Sequence, residues 1–429
     1  MSDRDVVIKG GTVLDATGER VADVVIRDGA VAAVGVDLSA DVVLDATGCV
    51  VTPGLVDLHT HLRQPGMEEA ETVESGSRAA ALGGYTCVLA MPNTTPAIDC
   101  AAVVREVQEL GRGALCRVEV TGAITVGRAG ERLSPMAEMA DLGVRIFTDD
   151  GTGVQDARLM RRALEYAGGL GATVAQHCEV TALSEGTCMN EGEWSSRLGL
   201  AGQPDEAEEL MVMRDIALAR LTGTRVHFQH LSTAGSVAMV AAARASGLPV
   251  SSEAAPHHFT LTDERCGTYD AVYKVHPPLR TERDRVAVAE GLRDGTIDAI
   301  ATDHAPHPAH LKELPFDQAP PGMLGLEYAL ALALTELDLP LAEVLALLSW
   351  RPAAIAGVGG AHGSHGGPIE AGRPANLCVI DPHAEWTIDG SGGASRSSNV
   401  PYMGRAVRGR VRHTVCAGEA VVVDGEPRR

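Results

Sequence analysis

His59 and His61 stand two residues apart at the end of an apolar run, residues 55–58, within the stretch GLVDLHTHLRQPG. Side chains at i and i+2 of a strand share one face, so the two imidazoles offer half of a metal site. Further apolar runs along the chain end in MPN, TDD, QHCE, QHLS, PHH and TDHAPH. The candidate ligands are His59, His61, Asp149 or Asp150, His177, His230 and Asp303. Each alone has an ordinary alternative. The two aspartates precede Gly151 and suit a turn, His177 suits a capped strand end, and Asp303 suits the cap of the next segment. Such roles coinciding at five separate run ends are improbable. Imidazole with carboxylate suits Zn²⁺ or another borderline divalent ion. Five or six ligands exceed the four of one tetrahedral zinc. They suit two metals that share a bridging carboxylate and a bridging hydroxide. The lysines are Lys9, Lys274 and Lys312, none of them at the end of the fourth run. The bridge is therefore expected from an acid of the TDD at 148–150.

The elements that must position these residues follow from the pattern of the middle of the chain. From about 53 to 356, apolar strand-like runs alternate with helical patterns. The runs are LVDLHTH, TCVLAMPN, RVEVTGAIT, VRIFTDD, TVAQHCE, RVHFQHLS, PVSSEAAPHH and IDAIATDHAPH. Eight such runs alternating with helices predict an α/β fold, a (β/α)₈ TIM-type barrel, whose C-terminal strand ends converge on the active site. Both chain ends read instead as short strands of period two between Gly, Asp and Thr turns. They predict one small β-sandwich domain assembled from 1–52 plus 368–429, with 53–367 as the catalytic barrel. The Gly-rich stretch 357–372 reads as a hinge. Its His362 and His365 are expected to be solvated and not ligands.

The chain has 429 residues, 45% hydrophobic and 22% charged, with a formal net charge of −21. That charge argues against binding nucleic acid or an anionic membrane. It also means that a small anionic substrate needs a local cationic clamp. There is no run of 18 apolar residues and no apolar core in the opening MSDRDVVIKGGTV, so a cytoplasmic location is expected. The nine scattered cysteines fit buried thiols. A homo-oligomer is compatible with all of this.

VDLHTHLRQPG, GGYTCVLAMPNTTP, FTDDG, QHCE, HLSTAGSV, APHH, YKVHPPLR and GTIDAIATDHAPH together resemble the amidohydrolase superfamily, and within it the dihydroorotases of the long bacterial type. The resemblance spans nearly the whole chain. It implies one zinc on His59, His61 and Asp303, a second on His177 and His230, and Asp150 with a hydroxide bridging them. It implies that Asp303 moves the proton in catalysis. It also implies substrate contacts from Arg63, Asn93, His276, His307, Pro321 and Gly322, with Arg63 as the carboxylate clamp.

The chain departs from the family pattern at Gln64 (usually Glu), at His276 (usually Asn), in SEAAPHH, and at Pro320-Pro321-Gly322. The first reading is reversible cyclisation of N-carbamoyl-L-aspartate to L-dihydroorotate in pyrimidine biosynthesis. The alternative is a paralogue opening or closing a ring on another amide, ureide or ester. A third is a non-catalytic partner subunit, against which the complete ligand set argues.

Overall fold

The computed structural model describes residues 4–360, 363–390 and 393–428. Eight parallel strands form its centre: Leu55–Thr60, Tyr85–Ala90, Arg117–Val120, Ile146–Phe147, Thr173–Gln176, Val226–Phe228, Val250–Ala254 and Ala299–Ile300. They are called barrel strands one to eight below. Strands one to three pair in one ladder and four to eight in another. Two parallel bridges, Gly122 with Phe147 and Thr60 with His304, join the two ladders into a ring. Helices follow each strand, from Val73–Leu82 after the first to Ala329–Glu336 after the eighth. Every run read as a strand is one, although the fourth and eighth regular segments are only two residues long.

The near-continuous apolar runs are explained by burial on both faces. In the second strand, Cys87 and Leu89 pack inside the ring with Val56 and Leu58. Val88 and Ala90 pack outward with Val104 and Val107 of helix Ala101–Leu110. Ala353 and Ala356, on helix Arg351–Ala356, join the interior cluster.

The two chain ends meet in a seven-stranded sheet. Val50–Pro53 pairs antiparallel with Leu377–Thr387 on one side and parallel with Thr12–Asp15 on the other. A four-stranded sheet, Ala30–Gly35, Asp23–Arg27, Val6–Lys9 and Val42–Asp45, lies against it. Ile8, Val24, Ile26 and Leu44 share one apolar core with Val13, Val51, Leu377 and Val379. This is the β-sandwich built from both ends.

His362 lies outside the described residues. His365 corrects an expectation: it is buried, 3% exposed, and its Nδ1 lies 3.1 Å from Thr86 Oγ1 of the second strand. Glycine-rich sequence made it look solvated, but the loop folds under the barrel. Burial, with Arg117 adding to it, pushes the imidazole down to about 4. The unfolded chain therefore takes up a proton between pH 6.5 and 4 that the folded chain refuses. Stability falls with pH across that window, by at most about 3 kcal/mol from this group. His365→Asn is expected to flatten this fall, measured as the denaturant midpoint at pH 7 and pH 5 in variant and parent.

Candidate active site

The first barrel strand carries an irregularity that places its histidines. Its register against the second strand shifts between Asp57 and Thr60. Val56 and Leu58 face the barrel interior below that point, and His59 and His61 face the mouth above it. Bulges of this kind re-aim side chains beside active sites. Asp57 secures the bend by accepting from His59 N at 3.2 Å, Thr60 Oγ1 at 2.8 Å and Thr302 N at 2.9 Å.

All six expected ligands converge at the mouth. Asp150 Oδ1 lies 3.2 Å from His59 Nε2, 3.6 Å from His177 Nδ1 and 3.8 Å from His230 Nε2, and its Oδ2 lies 3.7 Å from His61 Nε2. Asp303 Oδ1 lies 3.0 Å from His61 Nε2 and 3.6 Å from His59 Nε2. Two groups with the geometry to hold a metal result among the described residues, His59–His61–Asp150 and Asp150–His177–His230, with Asp150 common to both. The choice left open at TDD is settled by direction. Asp149 turns away and accepts from the backbone N and the hydroxyl of Thr125, so it braces the neighbouring loop. The residues fit a cation: His59 Nε2 is buried, faces Asp150 and Asp303 and has no hydrogen-bond partner, which is costly unless something else binds there, and His177 Nδ1 and His230 Nε2 stand 2.8 Å apart beside the same carboxylate.

The electrostatics agree. Burial disfavours charge on Asp150, yet His59, His177 and His230 outweigh it and hold the carboxyl well below the usual range. Burial also opposes charge on His177, but Asp150 and Glu179 push it up to about 9. Behind the cluster, Glu253 of the seventh strand accepts from His59 Nδ1 at 2.9 Å and from His227 Nε2 at 3.0 Å. These bonds overcome its burial and hold it at about 2. A carboxylate on Nδ1 fixes the tautomer that leaves Nε2 free for a metal. The backbone is strained at three site residues, with φ of 60° at Arg63, 30° at His230 and 45° at Asp303, as is common where function dictates conformation.

Every expected substrate contact, namely Arg63, Asn93, His276, His307, Pro321 and Gly322, lines one cavity of about 220 Å³, which also exposes His61, Asp150, His177, His230 and Asp303. Asn93 bonds His61 Nδ1 at 3.0 Å and Asp150 Oδ2 at 3.1 Å, which leaves half its amide capacity for a ligand. Arg63 Nε donates to Pro306 O at 3.2 Å. Burial pushes its guanidinium down to about 10, so it stays charged at neutral pH. Burial and Arg63 push His307 down to about 3. The neutral ring donates from Nε2 to Pro321 O at 2.8 Å. Gly322, at φ +150°, is required: a Cβ there would stand 2.7 Å from Ala305 O. His276 Nε2 is buried without a partner, while its Nδ1 lies 3.9 Å from Glu179. Gln64 behaves differently from the other departures. Its Oε1 accepts from Val73 N at the start of helix Val73–Leu82, a task that an amide performs as well as a carboxylate, and it does not line the cavity.

Sequence reasoning missed the residues that hold the cavity wall. Glu71 accepts from Arg396 N at 3.1 Å and from the Ser395 hydroxyl, and lies 3.4 Å from His304 Nε2. Asn399 donates to Ala305 O and to Gly322 O, each at 3.0 Å, and its Oδ1 accepts from His307 N at 3.3 Å. Lys312, pushed down to about 7 by burial and by Lys274, donates to Pro320 O at 2.9 Å and Gly322 O at 3.1 Å. Glu71 sits in an acidic run and Asn399 in a Ser- and Gly-rich tract, so both read as surface. Neither carries a local signal. Asn399→Ala is expected to lower kcat/KM by roughly 10- to 100-fold through misplacement of the wall, with metal content unchanged. Steady-state kinetics with metal analysis checks it.

This fold and this ligand set define an amidohydrolase-type hydrolase. The family described as Dihydro-orotase-like matches residues 48–236. The chain is 49% identical to the dihydroorotase of Streptomyces coelicolor, over 98% of this chain and 99% of that one. It is 47% identical to the dihydroorotase of Mycobacterium tuberculosis, over 96% and 97%. Among solved structures it is similar to the L-hydantoinase (dihydropyrimidinase) from Arthrobacter aurescens, with a TM-score of 0.88 at 24% identity, covering 99% of this chain and 97% of that one. The chain belongs to the dihydroorotase family.

Proposed function

We propose that this protein catalyses the reversible cyclisation of N-carbamoyl-L-aspartate to L-dihydroorotate, a step of pyrimidine biosynthesis, in the cytoplasm and with two Zn²⁺ per chain. As a member of its family it is a hydrolase acting on cyclic amide C–N bonds. No helix among the described residues is long and apolar enough to cross a membrane. The observation that carries the reading is the position of Asp150, shared by two histidine groups, in the same cavity as the buried guanidinium of Arg63.

His59, His61 and Asp303 would hold one metal and His177 and His230 the other, with Asp150 shared between the two groups. Bound there, the ions lower the pKa of water and polarise the scissile carbonyl. The chain does the rest. Arg63 clamps the substrate carboxylate, supported by Asn93 and His307. Gly322 allows the wall at Ala305 and His307 to approach closely. Asp303 takes a proton from the attacking water and returns it to the leaving ring nitrogen. Residues 53–367 carry this chemistry, with 1–52 plus 368–429 as the β-domain.

The test is turnover of carbamoyl aspartate and of dihydroorotate by purified, zinc-loaded protein. No turnover in either direction overturns the proposal. His276→Asn is expected to keep or raise activity on dihydroorotate, because Asn offers a donor and an acceptor where the imidazole Nε2 stands. A large loss would give this histidine a role of its own. The reading in which another ring is the substrate loses part of its support, since Gln64 serves a helix end and not the cavity.

A further inference from the structure

A second guanidinium stands at the rim of the cavity. Arg128 closes the short turn Val126–Arg128 in the loop after the third barrel strand. Asp149 holds this loop through Thr125, and Arg128 N donates back to Thr125 O at 3.0 Å. Arg128 has φ of 57°, in the same left-handed region as Arg63 at 60°, a strain that persists only where the surroundings enforce it. Its Nη2 donates to Asp150 O at 2.6 Å, and its Nε is buried without a partner. Among the described residues it forms no ion pair: the carboxylate of Asp149, which feels its charge, is occupied by Thr125. Gly151, which lines the cavity, leaves the guanidinium open to it. A Cβ on Gly151 would stand 3.4 Å from Arg128 Nη2 and 3.8 Å from Asn93 Nδ2. With glycine there, that space is clear between Arg128 and the cavity wall at Asn93 and Asp150.

Arg128 is also close enough to Arg63 to depress its pKa by repulsion. Two guanidiniums thus serve one small cavity, in a chain of net charge −21. A ligand with one carboxylate needs one of them. Like charges gathered in one cavity are a cost that a doubly anionic ligand removes. We propose that Arg128 is a specificity-determining residue that recognises the second carboxylate of an open-chain dicarboxylate, on the Gly151 side of the cavity, while Arg63 holds the first. This rests on the substrate reading given above. N-carbamoyl-L-aspartate carries two carboxylates and L-dihydroorotate one, because ring closure converts the other into an amide and releases water. Arg128 therefore favours the open form over the ring. It draws the second carboxylate toward Asp150 before closure and receives it after opening. A residue that merely braced the Asp150 backbone would act on both forms alike.

The experiment is steady-state kinetics in both directions on the zinc-loaded parent, Arg128→Gln and Arg128→Lys, with metal content measured on each. In Arg128→Gln, KM for carbamoyl aspartate is expected to rise by about 10- to 100-fold, the range of one charge-assisted hydrogen bond, and KM for dihydroorotate by less than about 3-fold. The fixed equilibrium requires kcat/KM to change by one factor in both directions, so KM carries the distinction. Arg128→Lys keeps the charge but not the planar fork, and should recover part of the loss. Circular dichroism confirms that the variants fold. With a parent that turns over, three results overturn the proposal and leave the reaction standing: equal changes in the two KM values or none, loss of bound metal in Arg128→Gln, or a lysine variant no better than the glutamine one. A parent without turnover overturns the reaction and the proposal together.

Discussion

Replacing Asp303 by asparagine is expected to lower kcat by about 10²- to 10⁴-fold, the range that a positioned proton-transfer group contributes, with little change in fold. The substitution is nearly isosteric, and asparagine accepts the left-handed φ of 45° found there as readily as aspartate does. The backbone is kept, and what changes is the charge and the capacity to accept a proton. Burial alone would raise the Asp303 carboxyl, but His59 and His61 pull it well below the usual range, so it is an ionised acceptor at neutral pH. An amide oxygen cannot take up the proton. Arg63, Asn93 and His307 are untouched, so KM should move far less than kcat. Steady-state kinetics in both directions, with metal content measured on the same preparation, decide it. An unchanged kcat at full metal loading would sink the assignment.

Asp150→Ala should be as damaging for a different reason. Asp150 is the one residue common to both metal-holding groups. Its loss is expected to reduce bound metal to one equivalent or fewer, and activity by on the order of 10³-fold or more, because both water activation and carbonyl polarisation depend on the ions. The metal-free protein should also lose stability. His59 and His177 are buried, and this carboxylate, with Asp303 and Glu253 for the first and Glu179 for the second, raises their pKa against the opposing effect of burial. Removing one partner of a buried ionic group costs about 3 kcal/mol. Asp149→Ala is the control. It frees Thr125 and should cost stability while leaving metal content intact. Elemental analysis and denaturant titration of both variants separate the two aspartates. Equal metal content in the two would overturn the distinction.

The sequence was most legible where chemistry and periodicity coincide. Eight apolar runs could be read as strands because a parallel barrel strand is buried on both faces and leaves an uninterrupted apolar run. The ligands stood out because polar residues at the ends of such runs fall together at the mouth of the barrel. At TDD the pattern stopped short. Two adjacent aspartates are equivalent in composition, and only the backbone direction after Phe147 sends Asp150 to the histidines and Asp149 to Thr125. His365 misled for a related reason: a glycine-rich loop is usually solvated, and its burial depends on what it packs beneath.

What the sequence determined by itself is the set of groups that can do the chemistry and the class of fold that gathers them. These follow from residue type and from spacing along one strand, which local geometry controls. What only the tertiary structure decided is how the gathered groups are held. Glu253 sits 194 residues from the histidine it orients. Asn399 reaches from the C-terminal segment to bind Ala305, His307 and Gly322 at once. Gln64 turns out to support a helix instead of a substrate. Such contacts leave no periodic trace, because a hydrogen bond between distant segments requires only one polar side chain at each end.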